Sequence, residues 1–296
     1  MSTGTRRSVI GIVVAILLGA LVALAGSQGS TTFGSVPVFA IGAFLAYAIN
    51  WIVFIPSNRA KTEHYFDLTG SVTYLTVTVA ALLLSGSPDA RAGIVAAMVA
   101  LWALRLGTFL FRRVKRDGRD GRFDEIKVDP LRFFMTWTLQ GLWVLLTLAA
   151  GLAIMTSKDQ EPLGWIAAVG IIVWLVGFAI EVVADRQKST FKSDTANAGR
   201  FITSGLWSWS RHPNYFGEIM LWTGIAIMAV PLLSGWRWVT LISPVFVTLL
   251  LTRVSGIPML ERRADDRWGD EDDYQTYKAR TSVPVSYTHL RAHETY

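Results

Sequence analysis

Eight stretches of this chain stay apolar for close to twenty residues each, and that repeat restricts the fold more than any other feature. They lie near 8–25, 36–55, 67–85, 92–112, 133–155, 163–185, 216–234 and 236–254. A helix needs about 20 apolar residues to cross the hydrocarbon of a bilayer. Within lipid, each backbone N–H and C=O must find its partner inside the same segment, which helices do and open sheets do not. The pattern predicts an all-α, polytopic transmembrane helix bundle of seven to eight spans, with eight preferred. A tight hairpin around Ser234-Gly235-Trp236 is the alternative for the last two. With only 17% charged residues, the chain reads as membrane-embedded rather than as a soluble globule.

Loop charges orient the spans. Taking eight, 23 Lys and Arg residues fall before the first span and after the second, fourth, sixth and eighth, while the opposite loops hold only Arg91, Lys158 and Arg237. Cytoplasmic loops are the basic ones, so both termini are expected in the cytoplasm. The net charge of +6 is then explained by these loops, and no nucleic-acid partner is expected. Arg6 and Arg7 precede the first run like a signal peptide's basic end. That run is long and lacks an A-x-A cleavage site, so it is expected to be retained. Residues 1–284 are expected to form one membrane domain. The last dozen, 285–296, match nothing before them and read as a non-native tail. The expected setting is a bacterial inner membrane, with the site toward the cytoplasm.

Polar groups within or at the ends of spans cost roughly 2.5–3.5 kcal/mol each at a helix centre, so they mark where function concentrates. The densest group is Ser210-Arg211-His212-Pro213-Asn214-Tyr215-Phe216-Gly217-Glu218, between two apolar segments. Proline suits the first turn of a helix, so Asn214 is expected to open the seventh span. Its carboxamide both donates and accepts, which suits a nicotinamide carboxamide or a ribose. Glu181 and Asp185, four apart, share one helix face and suit ribose hydroxyls or an adenine amine. Structural ion pairs to Arg105 or Arg186 would also account for them. Arg105, Arg186, Lys188, Lys192, Arg200 and Arg211 supply the cations that a pyrophosphate and a 2′-phosphate require. Anionic lipid headgroups would explain some of these, but poorly explain Arg105, which lies inside a span. With no cysteine and no metal spacing among its four histidines, the chain is expected to hold no metal.

Gly205-Leu206 followed by Ser210-Arg211-His212-Pro213-Asn214-Tyr215-Phe216-Gly217-Glu218 resembles the signature of the steroid 5-alpha-reductase C-terminal family, in its bacterial DUF1295 branch. The resemblance extends to Thr62-Glu63-His64-Tyr65-Phe66-Asp67, Leu104-Arg105-Leu106, Arg122-Phe123-Asp124-Glu125, Trp137-Thr138-Leu139-Gln140-Gly141, Ser255-Gly256-Ile257-Pro258, Glu261 and Tyr274. It implies an NADPH-dependent reductase of a C=C bond conjugated to a carbonyl, acting on a steroid-like or other lipidic substrate. Cofactor contacts are then expected from Arg105, Glu181, Asp185, Lys192, Arg200, Arg211, His212, Asn214, Tyr215, Glu218 and Glu261. Glu63 is similar to the family glutamate that meets the substrate carbonyl, acting here as a protonated acid in apolar surroundings. The family tyrosine that assists it corresponds to Trp102, which cannot act as an acid, so Tyr65 or Asp67 is expected to replace it.

The same superfamily contains isoprenylcysteine carboxyl methyltransferases, which share Arg-His-Pro-x-Tyr-x-Gly. The alternative is therefore a methyltransferase of lipid or prenyl carboxylates using S-adenosylmethionine. In it Arg211, His212 and Glu261 would hold the cofactor and Arg253 the substrate carboxylate. Asn at 214 and an acid at 218 match the reductases.

Overall fold

The computed structural model describes residues 2–117 and 121–283. The expected tail, 285–296, lies outside the described residues. The protein is all-α and polytopic, and among the described residues eight helical segments are long and apolar enough to cross a membrane. The first six are α1 (Thr3–Ser27), α2 (Val38–Ala60), α3 (Phe66–Leu84), α4 (Ala90–Asp117), α5 (Pro130–Met155) and α6 (Trp165–Ser193). Then come α7 (Pro213–Ala229), continued by a 3₁₀ turn, and a composite eighth segment. The latter runs from a 3₁₀ turn at Gly235–Leu241 through α8 (Ile242–Leu249) and a π-helical stretch at Leu250–Val254 into α9 (Ile257–Trp268). A second helix, α10 (Asp272–Arg280), follows α9 after a break at Gly269. Two strands of two residues each, β1 (Thr32–Phe33) and β2 (Val36–Pro37), pair antiparallel as a hairpin turned at Gly34 with φ 62°.

The chain divides into two compact units. One comprises Met1–Ala167 and Ala226–Ser243, the other Ala168–Ile225 and Pro244–Tyr296. The first unit is organised around α5, which touches α1, α2, α3 and α4. Buried residues fill 89% of its most apolar window, against 28–39% for those four, so α5 is the axis and they present outer faces to lipid. Asp129 starts α5 by accepting from the Leu131 and Arg132 amides at 3.0 and 3.1 Å, with Pro130 at the first helical position. Lys61, in the left-handed conformation at φ 50°, stops α2 and turns the chain toward α3.

Two of the three opposite-side cations are not loop charges in solvent. Arg91 is 2% exposed and donates to the Met228 carbonyl at 2.7 Å and the Pro162 carbonyl at 2.8 Å. Arg237 is 1% exposed and donates to the Ala153 carbonyl at 2.8 Å. Both satisfy carbonyls at helix ends, where the last turn lacks amide partners and the dipole favours a cation.

Candidate functional site

In the second unit, α6 carries Glu181, Asp185, Lys188 and Lys192, and α7 begins at Pro213, so Asn214 does open the seventh span. The approach to α7 is anchored on α6. The Leu206 amide donates to Gln187 Oε1 at 3.0 Å, and Trp207 Nε1 donates to the Ala184 carbonyl at 3.0 Å. Gly205, at φ 63°, makes the turn that this needs. The consequence is a side-chain pair at the helix mouth: Asn214 Nδ2 donates to Asp185 Oδ1 at 3.2 Å.

Beside it, Arg211, His212 and Glu261 form one cluster. Arg211 Nη2 lies 3.0 Å from Glu261 Oε2 and its Nε 3.2 Å from Oε1, while His212 Nε2 donates to Oε1 at 2.7 Å. Both carboxylate oxygens are thus engaged. Arg211 also donates Nη1 to the carbonyls of Lys278 and Thr281, at 2.7 and 2.8 Å. Its amide donates to the Ser282 carbonyl at 3.0 Å, within a parallel bridge between Ser210 and Ser282. The C-terminal stretch is therefore strapped onto the segment that leads into α7. Tyr277 adds a hydroxyl bond to the Trp207 carbonyl at 2.7 Å, and Phe201 packs among Trp268, Tyr274 and Tyr277. Burial pushes the hydroxyls of Tyr274 and Tyr277 well above their ordinary pKa.

His212 is 5% exposed and stacks on Tyr215, with ring centroids 5.7 Å apart and planes 11° from parallel. Burial holds its pKa below the ordinary value, against the opposing hydrogen bond and charge of Glu261. The neutral ring donating from Nε2 leaves Nδ1 as an acceptor, and Nδ1 has no hydrogen-bond partner among the described residues. Glu181 is buried and Glu218 half-buried, whereas Lys192 and Arg200 are exposed.

The remaining expected residues belong to the first unit. Arg105 is half-buried on α4. Glu63, 3% exposed, opens the turn that leads into α3. It is not a lone acid in apolar surroundings: Lys127 Nζ lies 2.7 Å from its Oε2. Tyr65, by contrast, is 54% exposed, and Asp67 is half-buried in the first turn of α3. Trp102 is buried edge-on against Tyr74.

Lys127 escaped sequence reasoning, because one lysine in a loop of mixed charges carries no local mark. The readable signal was the pair of apolar residues beside it, Phe123 and Ile126. Phe123 is buried, with ring centroids 4.9 Å from Phe66 and 6.4 Å from Phe133, and it fastens the loop onto the first unit.

A family described as "Protein of unknown function (DUF1295)" matches residues 53–281. Among curated proteins, the chain is similar to a steroid 5-alpha-reductase of Gossypium hirsutum, 32% identical over 82 residues, covering 28% of this chain and 30% of the relative. It is also similar to a Delta(14)-sterol reductase of Saccharomyces cerevisiae, 32% identical over 75 residues, 22% of this chain and 17% of the relative. A "Probable O-methyltransferase" of Ustilaginoidea virens is 34% identical over 68 residues, 23% of this chain and 24% of the relative. The chain spans less than a third of the length of each of these relatives. No solved structure matches it.

Proposed function

The chain belongs to the DUF1295 family, and from that premise we propose that it is a membrane-embedded, NADPH-dependent reductase. Its substrate is a C=C bond conjugated to a carbonyl in a steroid-like or other lipidic molecule. The names of the two reductase relatives support the reaction class. The carrying observation is the Asn214–Asp185 pair at the α7 mouth, which the reductase reading alone assigns to its cofactor. Arg211 and Glu261, expected at the cofactor under both the reductase and the methyltransferase readings, are engaged by each other, by His212 and by the C-terminal strap. They therefore favour neither reading.

The residues fit a pyridine nucleotide. The Asn214 carboxamide, held by Asp185, suits a nicotinamide amide or a ribose hydroxyl. Neutral His212 offers an acceptor at Nδ1, which suits a hydroxyl or amide donor and not a phosphate oxygen. Phosphates fall to the exposed cations Lys192 and Arg200. When bound, the reduced nucleotide supplies hydride. The second unit's own residues fix its ring. Residues 1–284 act as one reductase domain under this reading. Its termini and nucleotide mouth face the cytoplasm of a bacterial inner membrane. The loop charge bias supports that orientation, and it sharpens once Arg91 and Arg237 are counted as buried helix caps.

Thermal unfolding of the detergent-purified chain tests the reading. NADPH at about 100 times its dissociation constant is expected to stabilise the fold by about 2.7 kcal/mol. Stabilisation by S-adenosylmethionine instead would favour the methyltransferase reading, in line with the Ustilaginoidea virens relative. Stabilisation by neither would leave a lipid-binding role.

A further inference from the structure

We propose that the outer face of α8, with the π-helical turn that follows it, binds one anionic phospholipid. The headgroup phosphate sits on Arg253, and an acyl chain lies along Leu249 and Val245. The proposal lies wholly within the second unit and is independent of the reductase reading.

Spacing sets the face. Val245, Leu249 and Arg253 recur at every fourth residue, and all three are exposed. Val254, beside the arginine, is exposed as well, whereas Val247, Leu250 and Leu251 are buried. In an α-helix every fourth residue drifts about 40° round the axis. The turn at Leu250–Val254 offsets that drift. The Ser255 amide donates to the Leu250 carbonyl, five residues back, at 3.0 Å, and such a turn winds less per residue. Gly256 closes it, since a Cβ there would lie 2.5 Å from the Leu251 carbonyl oxygen. An apolar stripe therefore runs along α8 and ends on an exposed cation. A phospholipid has the matching order, acyl chain and then phosphate.

Arg253 makes no hydrogen bond or ion pair among the described residues. The hydroxyls of Thr248 and Thr252, on neighbouring positions, are spent on the Pro244 and Thr248 carbonyls at 2.7 and 2.6 Å. Other cations of this unit are matched: Arg211 by Glu261, and Lys278 by Asp265 at 2.6 Å. A guanidinium that continues a lipid-facing stripe is costly unless its long side chain reaches the headgroups. There its planar fork binds phosphate oxygens bidentately. Net charge selects among phospholipids. Arg262 and Arg263 are exposed on α9, a few residues further along, and a basic surface at the end of a span favours an anionic headgroup over a zwitterionic one.

Native mass spectrometry of the full chain in detergent tests the site, with dioleoyl phosphatidylglycerol and dioleoyl phosphatidylcholine as probes. Wild type is expected to retain one phosphatidylglycerol and to prefer it about tenfold over phosphatidylcholine. Arg253→Gln should lose about tenfold in phosphatidylglycerol affinity, and Arg253→Lys less. Arg253→Gln should melt as wild type does, because no contact within the chain is lost. Arg59→Gln removes another exposed cation, at the end of α2, and should leave the affinity unchanged. Glycerol phosphate, which has the phosphate and no chains, should not displace the lipid. Unaltered affinity in Arg253→Gln overturns the site. An equal loss in Arg59→Gln also overturns it, since only the overall charge would then be at work. Displacement by glycerol phosphate at the lipid's own concentration overturns the part given to Val245 and Leu249. Tighter binding of oleate than of phosphatidylglycerol would hand Arg253 to a carboxylate, as the methyltransferase reading expects, and overturn the phospholipid.

Discussion

Gly177 of α6 and Gly217 of α7 meet backbone to backbone: a Cβ on Gly217 would lie 2.5 Å from the Gly177 carbonyl oxygen, and one on Gly177 would lie 2.7 Å from the Gly217 carbonyl oxygen. One heptad further on, a Cβ on Gly224 would lie 2.6 Å from the Gly170 carbonyl oxygen. Small residues let membrane helices approach closely where no hydrophobic force separates protein from lipid. In this unit the approach also brings Asp185 within 3.2 Å of Asn214. Gly217→Ala should push the helices apart and cost about 1–3 kcal/mol, the usual range for overpacking. Thermal unfolding would show the loss, and NADPH stabilisation should weaken with it. An unchanged melting point would mean that the two helices yield without strain.

Asn214→Ala removes the carboxamide while leaving the helix start, because Pro213 remains at the first helical position. The variant should fold as wild type does. Its affinity for NADPH should fall about tenfold, the value of roughly one hydrogen bond to a polar ligand. Titration calorimetry of the purified protein would measure this. Wild-type affinity would remove Asn214 from the site.

Arg211→Ala strips both oxygens of Glu261 of their guanidinium partner and frees the carbonyls of Lys278 and Thr281. Losing one partner of a largely buried ion pair costs about 3 kcal/mol. The C-terminal stretch after α9 should become the first site of proteolytic cleavage. A digestion pattern matching wild type would show that the aromatic packing of Phe201, Tyr274 and Tyr277 holds the strap unaided.

Acid should destabilise the protein partly through His212. Its folded pKa lies below the ordinary histidine value of 6.5, chiefly because it is buried. Between the two values the unfolded chain binds more protons, so stability rises with pH across that window. The contribution is complete above about pH 6.5 and is lost as pH falls through the folded value. Melting curves from about pH 7.5 down to 5.5 should fall more steeply for wild type than for His212→Gln. Parallel curves would assign the acid sensitivity elsewhere.

The chain's local pattern set the eight apolar segments, because the thickness of a bilayer imposes a length that twenty residues can satisfy in only one backbone conformation. It also determined the start of α7, since Pro213 fixes its own backbone angle and needs no partner to do so. Those are local constraints, and a local pattern can carry them. The tertiary structure alone decided which charges meet. Lys127 reaches Glu63 because a buried phenylalanine pins its loop. Arg211 turns to Glu261 and the C-terminal carbonyls because residues some fifty to seventy positions away fold back over it. Arg91 and Arg237 read as loop charges until helix ends supplied the carbonyls they satisfy. A charge costs too much in a low-dielectric interior to stand alone, and its partner comes from whichever element packing brings near, which no spacing along the chain records.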